Sequence, residues 1–185
     1  MKKRRFSRTD WIKLGLARLA DAGSEAVKLE AICEAAGLTR GSFYHHFDDH
    51  RAFTLALAEH WFDTQPLAIA EQIDEHGVAE AQASALTDAA LQIDYRLELG
   101  IRELARRLDE VAVIVRKADA LRVDTLAGIY QNRFRIEQTA ARDFALLEYA
   151  AFSGVLLLDP DMPIDKQAKL AELYDRTVTR ALNSE

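Results

Sequence analysis

Apolar residues recur along almost the whole chain at spacings of three and four, the period of a helix resting one face on a core. Near the N-terminus Ile12, Leu16, Leu19 and Ala20 share such a face. Ser7 precedes them as a cap with Asp10 three residues on, and Phe6 and Trp11 stand where a hydrophobic staple closes. Gly23 stops this first helix. A second, from about Lys28 to Ala36, sets Leu29, Ile32, Cys33 and Ala36 at helical spacing and ends on Gly37, which is free to turn left-handed. Thr39 can cap a third helix running to Phe47. In it Phe43 and Phe47 face inward, leaving Thr39, Arg40, Ser42, Tyr44 and His45 outward. Asp48 or Asp49 caps a fourth that begins near His50, carries Phe53, Leu57, His60 and Trp61 on one face, and ends around Gln65-Pro66, where proline breaks an interior turn.

Beyond Pro66 no stretch reads as strand. Helices are predicted at about Leu67 to Glu75, Val78 to Ile93, Tyr95 to Arg107, Asp109 to Phe134, Thr139 to Leu158 and Asp165 to Leu182. The fold class is therefore all-α, with about ten helices. The helix from Thr139 is apolar nearly all round: Phe144, Leu147, Ala151, Val155 and Leu158 form one stripe, and Leu146, Ala150, Ser153 and Leu157 another. A helix buried on two sides needs two partners, its own core and, in a chain this small, a second copy. Ala145, Ala151 and Gly154 permit close approach, and the last helix offers Leu170, Leu173, Tyr174, Val178 and Leu182 as a second stripe. The expected partner is the chain itself, as a homodimer.

The run Gly37 to Phe47, GLTRGSFYHHF, gives a short helix, a glycine turn and a second short helix: a helix-turn-helix, whose second member enters the major groove of duplex DNA. From Asp10 to Trp61 the chain resembles the DNA-binding domain of the TetR/AcrR family of transcriptional regulators. An apolar first helix, a small-residue second helix ending in Ala-Gly-Leu, then Thr-Arg-Gly-Ser-Phe-Tyr-His-His-Phe, an acidic pair and a long apolar fourth helix stand in family order. Lys28 occupies the place where the family usually opens its second helix with Ser or Thr, and His50 a place where Lys or Arg is usual. The resemblance implies a dimer assembled through a four-helix bundle of the two C-terminal helices.

Charge adds a second signal when it is split along the chain. Met1 to Arg51 holds ten Lys and Arg against seven Asp and Glu, a balance of +3, and the remainder carries −9. Lys2, Lys3, Arg4, Arg5 and Arg8 come before any acid, so a basic arm can reach phosphates or the minor groove while the acidic body stays off the polyanion. No apolar run approaches the ~18 residues of a membrane span. No signal-peptide core follows the basic start, and a cytoplasmic protein is expected. Cys33, the only cysteine, rules out an internal disulfide framework and is read as a small core residue. Catalysis finds little support. His46 and His50 are four apart but straddle a helix break, with no third ligand to complete a metal set. Neither a phosphate loop nor a nucleophile elbow occurs, so no cofactor, no metal and no enzymatic activity are expected.

These readings divide the chain into a DNA-binding domain, residues 1–50, and a helical effector-binding and dimerisation domain, residues 51–185. Double-stranded DNA, as a palindromic operator, is expected to meet Lys3, Arg4, Arg5, Arg8, Lys28, Thr39, Arg40, Gly41, Ser42, Tyr44, His45 and His50. A small-molecule effector is expected against Trp61, Phe62, Tyr95, Tyr130 and Phe134. Glu98 with Arg102 and Glu103 with Arg107 read as surface or inter-helix ion pairs. The function expected is a dimeric repressor released from its operator by a small molecule. The alternatives are a DNA-binding regulator that recruits a protein partner, and an all-helical enzyme. A closed apolar cavity would favour sensing, a large exposed apolar groove recruitment, and turnover without DNA the enzyme.

Overall fold

The structure, a computed structural model, describes residues 6–75 and 77–183. Among them the secondary structure is helical throughout, without a strand: α1 Arg8–Ala22, α2 Leu29–Ala36, α3 Arg40–Tyr44, α4 His50–Phe62, α5 Ala68–Asp74, α6 Ala79–Leu91, α7 Tyr95–Ala105, α8 Asp109–Phe134, α9 Gln138–Leu158 and α10 Ile164–Leu182. The predicted helices are all present, most of them with ends shifted by a residue or two. The largest difference lies at Pro66. α4 closes at Phe62, and the proline sits inside a wide π turn, Asp63–Leu67, that leads directly into α5. A wider turn keeps the pyrrolidine ring off the preceding carbonyls and leaves no i−4 bond waiting for the missing N–H.

Two compact units form. One takes the chain up to Thr64 together with Asp94–Lys117; the other takes Gln65–Ile93 and the chain from Ala118 onward. The first unit thus reaches well past residue 50. Phe53, Leu57 and Trp61 of α4 are fully buried in it with Trp11 and Phe43. α4 and α7 each press on α1 across a glycine. A Cβ on Gly15 would lie 2.7 Å from both Leu57 Cδ2 and Phe53 Cζ, and one on Gly100 would lie 2.6 Å from Leu19 Cγ and 3.2 Å from the Leu19 carbonyl oxygen. Periodicity shows which face of α7 is apolar, but not that α1 covers it.

Polar contacts fasten the same unit. The Ser24 hydroxyl donates to Glu103 Oε1 at 2.6 Å and the Ser24 amide to Oε2 at 3.2 Å. The hydroxyl bond is the main cause holding the Glu103 carboxyl below its ordinary range. Arg107 bridges Glu103 at 3.1 Å and Glu25 at 3.3 Å. Glu98 and Arg102 do pair, with Nη2 and Nε at 2.8 and 3.0 Å from Oε1, yet not as a surface pair, because Glu98 is buried.

In the second unit α8, α9 and α10 build a core around Val123, Leu126, Ala127, Tyr130, Ala141, Ala145 and Val178. Tyr130 donates to Glu148 Oε2 at 2.6 Å, joining α8 to α9. Arg133 pairs with Asp175, joining α8 to α10. Desolvation is the main cause that raises the Glu148 carboxyl above its ordinary range, partly offset by the Tyr130 hydroxyl.

Candidate nucleic-acid interface

α3 is five residues long and could not persist alone, since helix nucleation is unfavourable and so short a segment returns few bonds. Its position comes from both ends and from beneath. Upstream, Gly37 adopts φ 64°, ψ 29°. The Leu38 amide then reaches the Cys33 carbonyl at 3.0 Å and the Gly37 amide the Glu34 carbonyl at 2.9 Å, a Schellman close that sets the turn. Thr39 Oγ1 accepts from the Ser42 amide at 3.3 Å and caps the start. Beneath, Phe43 is fully buried between Trp11, Phe47 and Phe53, with ring centroids at 5.4, 5.2 and 5.3 Å. Upstream of all this, Ser7 and Asp10 form the predicted capping box, and the Phe6 ring meets Trp11 edge-on at 5.1 Å.

With Phe43 and Phe47 held inward, the opposite side of α3 is open. Thr39, Arg40, Gly41, Tyr44 and His45 are exposed, Tyr44 at 50%, and Ser42 is half-buried. Arg40 Nη2 donates to Glu30 Oε1 of α2 at 2.5 Å. Lys28, exposed at the start of α2, pairs with Glu25. His50 is half-buried and its Nε2 lies 2.8 Å from the Val27 carbonyl oxygen, so that nitrogen carries the proton and donates. His46 makes the corresponding bond to the Phe6 carbonyl at 3.1 Å. Arg8 is exposed, its guanidinium 5.1 Å from the Phe47 ring centroid. Lys3, Arg4 and Arg5 lie outside the described residues. The ion pairs of Arg40 and Lys28 were not anticipated from sequence: Glu30 and Arg40 are ten residues apart and meet only because the turn folds α3 against α2.

Residues 12–57 match the family model for bacterial regulatory proteins of the tetR family, the span that contains this turn, its buried phenylalanines and its open face. Over those residues the chain is similar to the DNA-binding domain of tetR-family regulators. No curated protein shows significant sequence similarity to it. Solved structures share its fold at low identity. A transcriptional regulator from Rhodococcus sp. is 16% identical, with 95% of this chain and 97% of that one covered and a TM-score of 0.79. A protein of Saccharomonospora viridis in complex with choline is 13% identical, with 90% and 94% covered and a TM-score of 0.77. The regulator FadR from Bacillus subtilis in complex with stearoyl-CoA is 15% identical, with 89% and 95% covered and a TM-score of 0.64.

The residues expected to meet an effector fall into both units. Trp61 and Phe62 are buried in the first unit, where the Lys117 ammonium lies 4.4 Å from the Phe62 ring centroid, and Tyr95 is half-buried there. Tyr130 and Phe134 belong to the second, with ring centroids 5.6 Å apart and Phe144 stacked on Tyr130 at 5.8 Å. Glu148, absent from the expected set, accepts from the Tyr130 hydroxyl at 2.6 Å beside those rings. The stripes on α9 and α10 also divide. Phe144, Tyr174 and Val178, all expected at the interface, pack on the chain's own core, with Phe144 and Tyr174 half-buried. Leu147, Ala151, Leu158, Leu170 and Leu173 are exposed, joined by Leu146, Leu157 and Ile164, and Gly154 and Val155 are half-buried. Helical period alone cannot assign a wholly apolar helix its inner side. Among the described residues no helix is long and apolar enough to cross a membrane, and no three His, Cys, Asp or Glu converge as metal ligands.

Proposed function

We propose that this protein is a sequence-specific repressor of the TetR/AcrR family that binds a palindromic operator as a homodimer and leaves it when a small molecule binds its C-terminal part. One observation carries the reading. α3 is anchored from below by Phe43 and presents Thr39, Arg40, Gly41, Tyr44 and His45 outward, the arrangement by which a recognition helix meets base edges while its neighbours meet phosphates. Lys28 and Arg8, both exposed, supply phosphate contacts, with Lys3, Arg4 and Arg5 as the arm. Ser42 and His50 join at the margin, His50 through the ring nitrogen not bound to Val27. Two α3 helices reach successive major grooves when they stand ~34 to 36 Å apart.

The dimer reading is supported by the row of exposed leucines on α9 and α10, apolar area that a second copy would remove from water. Ligand release is supported by the choline and the stearoyl-CoA held by two proteins of the same fold. An effector acts by binding one arrangement of the dimer more tightly than the other, and shifts the population by that difference alone. The test has three parts. Selection from a random duplex library with full-length protein should return a palindrome. Arg40→Ala should then weaken binding to the selected site by ~1 to 3 kcal/mol. Native mass spectrometry of protein purified from its host should show a dimer with a retained small molecule. Recovery of no sequence preference would end the reading.

A further inference from the structure

Arg40 is the only cation within α3, and it is already engaged before DNA arrives. Its Nη2 donates to Glu30 Oε1 at 2.5 Å, with 62% of the arginine side chain and 69% of the glutamate side chain still exposed to solvent. Glu30 stands in the first turn of α2 and Arg40 at the first residue of α3, so the pair spans the turn closed by Gly37. A guanidinium has five N–H donors in a rigid fork. A single carboxylate oxygen takes one Nη2 hydrogen and leaves the other, which forms a parallel pair with Nε–H or with Nη1, so these donors remain for another acceptor.

Two acceptors compete for them on a DNA duplex, and the pair treats them differently. A guanine edge offers O6 and N7, neutral acceptors that a fork can bridge while the carboxylate stays in place. A phosphate oxygen is anionic. It gains little from a guanidinium whose charge is already balanced, and its approach brings it toward the Glu30 carboxylate. We propose that Glu30 is a specificity-determining residue: by holding Arg40 in a neutral pair, it confines that arginine to reading a base edge and withholds it from the phosphate backbone. This inference rests on α3 being the recognition helix.

The consequence is counter to simple charge counting, in which an acid beside DNA only weakens binding. Glu30 instead exchanges non-specific affinity for discrimination, and its effect passes through Arg40. The experiment compares full-length wild type, Glu30→Gln, Glu34→Gln, Arg40→Ala and the Glu30→Gln/Arg40→Ala double variant by fluorescence anisotropy across a salt series. The probes are the duplex recovered from random-library selection and a scrambled duplex of the same composition. Glu34 lies one turn along α2 and is exposed, so its variant removes the same charge from the same helix.

Glu30→Gln should raise affinity for the scrambled duplex about three- to tenfold and steepen the logarithmic salt dependence by about 0.9, one added phosphate contact. The ratio of selected to scrambled affinity should fall. Glu34→Gln should change both duplexes alike and leave that ratio unchanged, and in the Arg40→Ala background Glu30→Gln should lose its effect on the slope. Equal effects of Glu30→Gln and Glu34→Gln, or an undiminished effect without Arg40, would overturn the proposal and leave Glu30 as a generic repelling charge. A wild type that selects a site, with a ratio indifferent to Glu30, overturns this inference alone. A wild type that prefers no sequence overturns the recognition reading and this inference with it. Circular dichroism of each variant confirms unchanged helicity, as expected for exposed side chains.

Discussion

Gly100→Ala tests the packing that ties α7 to α1. The added methyl carbon would lie 2.6 Å from Leu19 Cγ, 2.9 Å from Leu19 Cδ1 and 3.2 Å from the Leu19 carbonyl oxygen. The leucine is buried at 1% exposure, so its side chain has no open space to rotate into, and the carbonyl belongs to the helical backbone of α1. Relief therefore requires the helices to separate by several tenths of an ångström, and overpacking of this kind costs ~1 to 3 kcal/mol. Against it stands the helix preference of alanine over glycine, ~1 kcal/mol in a helix interior. The net expectation is a loss of up to ~2 kcal/mol, a fall in melting temperature of up to ~8 °C for a chain of this size. Gly128→Ala is the internal control. It lies within α8, where a Cβ meets nothing within 4 Å, and only the propensity gain of up to ~1 kcal/mol remains. Calorimetry and urea unfolding of both variants read the difference. Gly100→Ala as stable as Gly128→Ala would refute the close approach of α7 to α1.

Three further outcomes are expected. Gly37→Ala places a Cβ in open space at φ 64°, so its cost is conformational, ~1 to 2 kcal/mol, and should appear in denaturant unfolding; an unchanged midpoint would count against the left-handed turn. Ala151→Glu puts a charge on the exposed apolar face of α9 and should give monomers by light scattering with helicity intact and operator binding lost, whereas an intact dimer with normal affinity would move the interface elsewhere. Glu148→Gln should stabilise the fold at neutral pH: burial raises the carboxyl's folded pKa, so its ionised form is disfavoured in the native state above that value. The penalty disappears as pH falls through the raised value toward 4.5, and the two proteins should converge in melting temperature there; a difference that does not shrink in acid would contradict the buried ionised carboxylate.

Local rules in the sequence determine much of the head. The capping box at Ser7, the staple of Phe6 on Trp11, the left-handed Gly37 and the Thr39 cap are all decided within a few residues, because each satisfies a backbone group or a φ angle next to it in the chain. For the same reason the inward side of α3 follows from the spacing of Phe43 and Phe47. Tertiary structure decided what period cannot express, which is who the neighbour is. Gly100 against Leu19, Ser24 bonded to Glu103 across a separation of 79 residues, and Tyr130 bonded to Glu148 all join elements that no local pattern links. α9 shows the limit most plainly. With apolar residues on every side, its sequence fits several rotations about its axis, and only packing against α8 and α10 turned Phe144 inward and left Leu147, Ala151 and Leu158 in the open. Arg40 shows it at the site: its place on the outer face could be read from the chain, but the carboxylate that balances its charge arrives from another helix, brought there by the turn.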